Sequence, residues 1–130
     1  MTILACLALA VALAVETPSR HELVLDGVWQ ITTADAASPD AEWIPARVPA
    51  AFEEALGTQF DGIATYRTSF TVPDTFSGER FWLHFDAVAT HADVFLNGSY
   101  VAQHLGGWTP FRADVSRVIR RGQANDLVVK

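Results

Sequence analysis

Hydrophobic and polar residues alternate along much of the chain, in short runs separated by Gly, Pro and Asn. The alternation is present at Val28–Thr33, Tyr66–Val72 and Phe81–Asp86, and it is clearest at Asp93–Gln103. A period of two is typical of strands that bury one face. Such runs recur about every ten to fifteen residues, with little helical periodicity between them. The pattern predicts an all-β fold, an antiparallel β-sandwich.

The clearest single element is a hairpin between Ala92 and Gly107. Val94 and Leu96 fall on one face of its first run, and Asn97-Gly98 separates that run from the second. Asn and Gly tolerate the positive φ angles that both central residues of a type I′ turn require. The sequence therefore predicts a tight β-hairpin with its turn at Asn97-Gly98 and one apolar face against a core.

Three other elements follow from local sequence. Trp29 lies on the apolar face of a strand and is expected to anchor the core. Pro45 interrupts the run Trp43–Val48, so we predict an edge or irregular strand there, because proline cannot donate to a ladder. Phe52–Leu56 is expected to form one helical turn that stops at Gly57.

The C-terminal part predicts a helix and then a strand. Asp114 has the character of an N-cap for a short helix that ends at Gly122. Its inward-facing residues would be Val115, Val118 and Ile119. Asn125–Lys130 then predicts a last strand with the chain stopping inside it. We expect that strand to lie at an open edge, in a sandwich that is incomplete at its C-terminus.

The hairpin region also carries a family resemblance. Phe85-Asp86-Ala87-Val88, Val94-Phe95-Leu96-Asn97-Gly98 and His104-Leu105-Gly106-Gly107-Trp108-Thr109-Pro110-Phe111 occur in that order. This series resembles the N-terminal sugar-binding domain of glycoside hydrolase family 2, in its β-galactosidase and β-glucuronidase branch. The resemblance runs from about Leu25 to the last residue. It implies a jelly-roll-like antiparallel β-sandwich of the galactose-binding type.

The N-terminus has the features of a targeting segment. Ile3–Val15 is an unbroken apolar and small-residue run, too short for a bilayer span of ~20 residues. Ala12-Leu13-Ala14 provides a small-x-small cleavage site. We expect a signal peptide at 1–14, a linker at 15–22 and the domain at 23–130. The product would be secreted or periplasmic, with no membrane contact after cleavage. The alternative is that the run forms a buried strand or helix.

Composition narrows the classes of partner. The chain has 130 residues and a net charge of −6, which suits one domain. Because acidic residues dominate and no basic stripe is present, nucleic acid is not an expected partner. The only cysteine, Cys6, lies in the N-terminal apolar run, so the remaining sequence offers neither a disulfide framework nor a thiolate nucleophile.

Two pairs of acids are candidates for glycosidic chemistry. A glycosidase holds two carboxylates ~5–5.5 Å apart for retention or ~6.5–9.5 Å apart for inversion. Glu53 and Glu54 are adjacent and should diverge, whereas Asp86 and Asp93 flank a strand connection and could converge. Surface solvation is the favoured alternative for both aspartates. In the resembled family the catalytic glutamates belong to a later (β/α)₈ barrel, so we assign no catalytic residue here.

No cofactor or metal is expected. His84, His91 and His104 fall on different strand segments, without the close spacing of metal ligands. Ser69, Ser99 and Ser116 do not stand in the context of a nucleophile elbow. Gly106-Gly107 lacks the lysine and the helix of a phosphate loop.

Three tryptophans, Trp43, Trp82 and Trp108, are candidates for stacking on sugar rings. Core packing or a domain interface is the alternative for each. In relatives, substrate contacts come chiefly from segments that follow the region resembled here, so we assign no substrate-binding residue.

The resemblance implies a non-catalytic N-terminal sugar-binding domain of a family 2 hydrolase that cleaves terminal β-galactosides or β-glucuronides with two glutamates. Its implied partners are the catalytic barrel and, weakly or indirectly, carbohydrate. The alternatives are a free-standing secreted carbohydrate-binding module or lectin, an accessory domain of another hydrolase, and a domain with a purely structural role.

Overall fold

The computed structural model describes residues 20–130, so the expected signal peptide and most of the expected linker lie outside the described residues. Eight strands and one short helix follow each other along this part of the chain: β1 (Gly27–Thr32), β2 (Ile44–Val48), α1 (Glu53–Leu56), β3 (Thr65–Thr71), β4 (Trp82–Phe85), β5 (His91–Leu96), β6 (Ser99–Leu105), β7 (Phe111–Asp114) and β8 (Ala124–Val129). Within residues 20–130, no helix has the length and apolar character needed to cross a membrane.

The strands form two sheets. The larger sheet has six strands in the order β2-β1-β3-β8-β5-β6, and β4 pairs with β7 in the smaller one. Every pairing between named strands is antiparallel. The order is not sequential, because β8 lies between β3 and β5.

The core lies between the two sheets. Leu83 of β4 and Ala113 of β7 belong to the same buried cluster as residues from three strands of the larger sheet, β1, β5 and β8. The other buried members are Trp29, Ala92, Val94, Leu96, Val115, Leu127 and Val129. Apolar burial between two stacked sheets is the arrangement of a β-sandwich. The predicted all-β antiparallel sandwich is therefore confirmed.

The predicted hairpin is also confirmed. Asn97 has φ +51° and Gly98 has φ +81°, which is the sign that a type I′ turn requires at both positions. Val94 and Leu96 have no exposed surface. The register shifts between Val94 and Phe95, so the hairpin contains a bulge that the sequence pattern did not indicate.

The local predictions for Trp29, Pro45 and the helical turn at residues 52–56 are also confirmed. Trp29 is 7% exposed, and its indole Nε1 donates to the Leu25 carbonyl oxygen at 2.8 Å. β2 is an edge strand of the larger sheet, which leaves Pro45 at a position where a missing N–H is tolerated. The helical turn predicted at residues 52–56 is α1, and Gly57 with φ +83° follows it.

The prediction of a helix after Asp114 is wrong. The Asp114 carboxylate accepts hydrogen bonds from the Ser116 amide at 3.0 Å and the Ser116 hydroxyl at 2.6 Å. The Val115 carbonyl oxygen then accepts from both the Val118 and Ile119 amides, which makes one turn only. The Arg120 amide donates to the Asn125 side chain at 2.7 Å. This bond leaves no donor at Arg120 to extend the turn into a helix.

The prediction that the last strand lies at an open edge is also wrong. β8 is hydrogen-bonded to β3 on one side and to β5 on the other. Its residues Asn125, Leu127 and Val129 are buried on the inner face. A strand that buries so much apolar surface is stabilised by central placement, and an alternating pattern does not reveal which neighbours a strand takes. The edges of the larger sheet are β2 and β6.

Two asparagine side chains join the hairpin turn to β8. Asn97 donates through Nδ2 to the Val118 carbonyl oxygen and to Asn125 Oδ1, both at 2.9 Å, and its Oδ1 accepts from the Asp126 amide at 3.0 Å. Asn125 is fully buried and donates to the carbonyl oxygens of Arg120 and Gln123 at 2.8 and 3.1 Å. We call Asn97 and Asn125 the amide pair. Each buried amide group is satisfied, which avoids a cost of about 1–3 kcal/mol per unpaired group.

We expect substitutions of Asn97 to lower stability in a defined order. Asn97→Gly keeps the turn conformation but removes three hydrogen bonds, so it should cost about 1–3 kcal/mol. Asn97→Val should cost about 1–2 kcal/mol more, since a β-branched side chain resists positive φ. Chemical denaturation of the purified variants would measure both. Equal stability of Asn97→Gly and the parent protein would show that the amide pair contributes nothing.

Candidate functional site

The structure gives the two candidate aspartates separate partners. The Asp86 carboxylate lies 3.1 Å from His84 Nε2, next to the smaller sheet. The Asp93 carboxylate instead accepts from the Tyr100 hydroxyl at 3.0 Å, on β5 of the larger sheet. Glu53 and Glu54 both lie in the first turn of α1. Asp86 and Asp93 therefore have different hydrogen-bonding partners, and Asp93 belongs to the outer face of the larger sheet.

The three histidines are dispersed among different partners. His84 faces Asp86, and His91 Nε2 lies 2.9 Å from Gln103 Nε2. His104 contacts the Thr109 hydroxyl at 3.0 Å and stacks on Phe111 at 4.4 Å between ring centres. Among residues 20–130, no group of three or more His, Cys, Asp or Glu side chains is arranged to hold a metal ion.

The serine and glycine candidates have structural roles. The Ser116 hydroxyl accepts from the Phe81 amide at 2.9 Å and so ties the turn after β7 to the start of β4. Ser69 and Ser99 lie on strands, opposite Asp126 and Leu96 respectively. Gly107 packs so closely that an added Cβ would lie 3.3 Å from the Ala89 Cβ, which explains a glycine there without a phosphate.

In two of the three tryptophans, an arginine guanidinium lies over one face of the indole ring. The Arg67 guanidinium carbon lies 3.8 Å from the ring centre of Trp43, and that of Arg112 lies 4.7 Å from Trp82. Such cation–π contacts occupy a ring face that a sugar would need. Trp108 is 91% exposed and is the most open aromatic surface among the described residues.

The outer surface of the β5–β6 hairpin holds a hydrogen-bonded group of side chains that the sequence analysis did not identify. We call His91, Asp93, Tyr100 and Gln103 the outer-face cluster. Asp93 bonds Tyr100, His91 Nε2 lies 3.8 Å from the other Asp93 oxygen, and Gln103 contacts His91. His91, Asp93 and Phe95 alternate along β5, so they share the face opposite the buried Ala92, Val94 and Leu96.

Aromatic rings adjoin this cluster. The Phe95 and Tyr100 rings make an edge-to-face contact with 5.3 Å between centres. Tyr100 is 55% exposed, and the His91 side chain is 52% exposed. Desolvation first, and then the hydrogen bond and the negative charge of Asp93, raise the pKa of the Tyr100 hydroxyl. Tyr100 therefore remains a neutral donor to Asp93 at ordinary pH.

The described surface also has two open depressions. One has a volume of about 270 Å³ between the segment 23–29 and β3, and the other about 350 Å³ beside Ile31 and Leu56. Asp40 and Glu42 line the second depression, and both are exposed.

Sequence reasoning missed the outer-face cluster because its members are spread over two strands. Asp93 and Gln103 are ten positions apart in the chain, yet the hairpin register places them opposite each other. A count outward from the predicted turn at Asn97-Gly98 places Tyr100 opposite Phe95, as the structure does, but it would pair Asp93 with Ala102. The bulge between Val94 and Phe95 shifts the register by one residue, so Gln103 lies opposite Asp93, and the alternation alone does not show this.

Comparison with known proteins identifies related domains. A family model described as glycosyl hydrolase 2 galactose-binding domain-like matches residues 60–130. A β-glucuronidase of Paenibacillus borealis is 32% identical over 127 residues, which is 88% of this chain and 21% of the relative. A β-galactosidase of Thermoanaerobacter pseudethanolicus is 36% identical over 66 residues, 51% of this chain and 9% of the relative.

A solved structure shares the fold over most of the chain. The β-glucuronidase from Ruminococcus gnavus, in complex with N1-substituted uronic isofagomine, superposes with a TM-score of 0.74 at 26% identity. The match covers 87% of this chain and 23% of that protein. The chain thus spans about a fifth or less of the length of the first relatives it matches.

We expect acid to remove a stabilising contact at Asp114. The hydrogen bonds from the Ser116 side chain and backbone lower the pKa of the Asp114 carboxyl. Because the pKa of this carboxyl is lower in the folded state than in the unfolded state, where it is ~3.9, ionised Asp114 stabilises the fold at a pH above the unfolded-state pKa. This contribution to stability disappears as the pH falls through the folded-state pKa. Asp114→Asn should therefore lower the melting temperature at pH 6 but have little effect well below pH ~3.9. Thermal unfolding across this range would test it, and a pH-independent difference would contradict the account.

Proposed function

We propose that this chain acts as a non-catalytic domain within a hydrolase of terminal β-glycosides. The chain belongs to the glycosyl hydrolase 2 galactose-binding domain-like family, and the proposal follows from that membership. The observation that carries this proposal is the family match over residues 60–130, which includes β3 to β8. The separate placement of Asp86 and Asp93 supports a non-catalytic role, because a glycosidase needs two carboxylates at one scissile bond.

The glycoside hydrolysed by the whole protein is a β-glucuronide or a β-galactoside. Similar proteins are named β-glucuronidase in Paenibacillus borealis and Bacteroides fragilis, and β-galactosidase in Thermoanaerobacter pseudethanolicus. A retaining mechanism with two glutamates in a catalytic barrel fits the family resemblance. In this proposal the barrel is the partner of the sandwich, and the sandwich helps to shape the substrate entrance.

Leu105 and Trp108, which we call the tip, are exposed apolar residues at the end of β6 and just after it. Their exposure supports a surface that contacts the barrel. Leu105, the last residue of β6, is 77% exposed, and Trp108, in the connection from β6 to β7, is 91% exposed. Exposed apolar residues of this size often mark surfaces that contact another domain. The tip is held in place by the bond between His104 and Thr109 and by the close packing of Gly107.

Export is a further part of the proposal. The apolar run at residues 3–15 and the small residues at positions 12 and 14 support removal of a signal peptide. We predict that the mature protein starts near Val15 in the periplasm or medium. N-terminal sequencing of the protein from its native host would test this, and an intact Met1 on a cytosolic product would contradict it.

We predict that the purified chain of residues 1–130 does not hydrolyse glycosides. Chromogenic β-galactosides and β-glucuronides provide the assay, with a complete β-glucuronidase as the positive control. The expected result is turnover indistinguishable from buffer. Turnover that a single substitution, Asp86→Asn or Asp93→Asn, abolishes would overturn the non-catalytic assignment.

A further inference from the structure

We propose that Asn97 is a site of spontaneous deamidation, which the folded protein protects and which reacts when the turn of the β5–β6 hairpin opens. The reaction converts the Asn97 side chain into a carboxylate, and that carboxylate cannot re-form the hydrogen bonds of the amide pair. Each deamidation is therefore an irreversible loss of the native turn. This inference goes beyond the proposed function, because it concerns the chemical lifetime of the fold and involves no glycoside.

The dipeptide Asn97-Gly98 has the sequence that favours this chemistry. The backbone nitrogen of Gly98 attacks the side-chain carbon Cγ of Asn97, and its proton passes to Nδ2, which leaves as ammonia. A five-membered succinimide ring remains. Water then opens the ring at either carbonyl carbon and gives aspartate or isoaspartate at position 97. Because glycine has no Cβ, the ring closes with little steric hindrance.

In the folded protein three hydrogen bonds hold the reacting side chain. Nδ2 of Asn97 donates to the Val118 carbonyl oxygen and to Asn125 Oδ1, both at 2.9 Å, and Oδ1 accepts from the Asp126 amide at 3.0 Å. Ring closure rotates Cγ and removes Nδ2, so it breaks all three bonds. The reaction therefore proceeds from the opened turn, and its rate is the rate in an unfolded chain multiplied by the fraction of molecules that are open.

The aspartate product does not fit the native arrangement. It places a second carboxylate oxygen where Nδ2 of Asn97 lay, against the Val118 carbonyl oxygen and Asn125 Oδ1. An ionised carboxylate only accepts hydrogen bonds, so three acceptor oxygens would face one another without a donor. The exposed Asp126, whose amide contacts the same side chain, adds a like charge nearby.

Asn125 cannot relieve this repulsion by reversing its own amide. Its Nδ2 already donates to the carbonyl oxygens of Arg120 and Gln123, and its Oδ1 accepts from the Arg120 amide. A reversed amide would set Oδ1 against two carbonyl oxygens and Nδ2 against the Arg120 N–H, and buried groups left without partners destabilise the fold. The isoaspartate product adds a methylene group to the main chain, which the two-residue turn does not accommodate.

The reaction is measured by incubating the purified chain at mildly alkaline pH, in native buffer and in guanidinium chloride. Mass spectrometry then follows the tryptic fragment 81–112, in which Asn97 is the only asparagine, for a gain of about 1 Da. We expect deamidation in the denaturant and a rate at least about a hundredfold lower in native buffer. Gly98→Ala should slow the reaction in the denaturant, because a Cβ hinders ring closure.

Three results of this experiment would overturn the proposal. Rates in native buffer and in denaturant that agree within about tenfold would show that the folded turn gives no protection. Absence of the mass gain in the denaturant would show that Asn97 does not react. An unchanged rate in Gly98→Ala would show that the Gly98 nitrogen is not the attacking group.

Asn97→Asp tests the product without the reaction. Asn97→Gly removes the same hydrogen bonds but introduces no carboxylate, so Asn97→Asp should have a folding equilibrium constant at least about fivefold smaller. Gln123→Glu is the matched control, since it makes the same amide-to-carboxylate change at an exposed position beside Asn125. It should stay within about threefold of the parent chain. Chemical denaturation at neutral pH measures all three variants.

An Asn97→Asp variant as stable as Asn97→Gly would overturn the proposal, because the product would then fit the native turn. Equal destabilisation by Gln123→Glu and Asn97→Asp would also overturn it, since added charge alone would explain the loss. Failure of Asn97→Asp to fold while Asn97→Gly folds is the expected effect in its strongest form.

Discussion

The fold depends on one partly buried polar contact, the hydrogen bond between the side chains of Asn97 and Asn125. Asn97 lies in the only tight turn of the β5–β6 hairpin, and Asn125 is on β8, which separates β3 from β5. Through Val118 and Arg120 the same two amides hold the connection that leads from β7 into β8. A buried amide that loses its partner is costly, so this contact favours one arrangement of the hairpin, the connection and the central strand.

The position of the hairpin determines what the protein displays. With Val94 and Leu96 held against the core, the alternation of β5 turns His91, Asp93 and Phe95 outward. A slip of one residue would reverse both faces and bury the carboxylate. The amide pair thus maintains the register in which Asp93 meets Tyr100 and Gln103 on the exposed side.

Sequence reasoning succeeded where the cause is local. Asn97-Gly98 identified a turn, Pro45 an edge strand and Gly57 the end of a helical turn, because each residue restricts its own backbone. It failed where the cause is distant in the chain. The helix expected after Asp114 is replaced by a turn, because the Arg120 amide donates to the side chain of Asn125. The strand β8 is central because it pairs with β3 and β5, and its own hydrophobic pattern does not specify these neighbours. The outer-face cluster was missed for the same reason, since only the register of the folded hairpin brings its members together.

Native-state amide hydrogen exchange tests the account most directly. If the amide pair holds the fold together, the Asp126 and Arg120 amides, which donate to Asn97 and Asn125, should exchange only through global unfolding. Their exchange free energies would then equal the stability measured by denaturation and those of the central β3–β8 ladder. Exchange of these two amides through local opening, with free energies well below that of the ladder, would contradict the account.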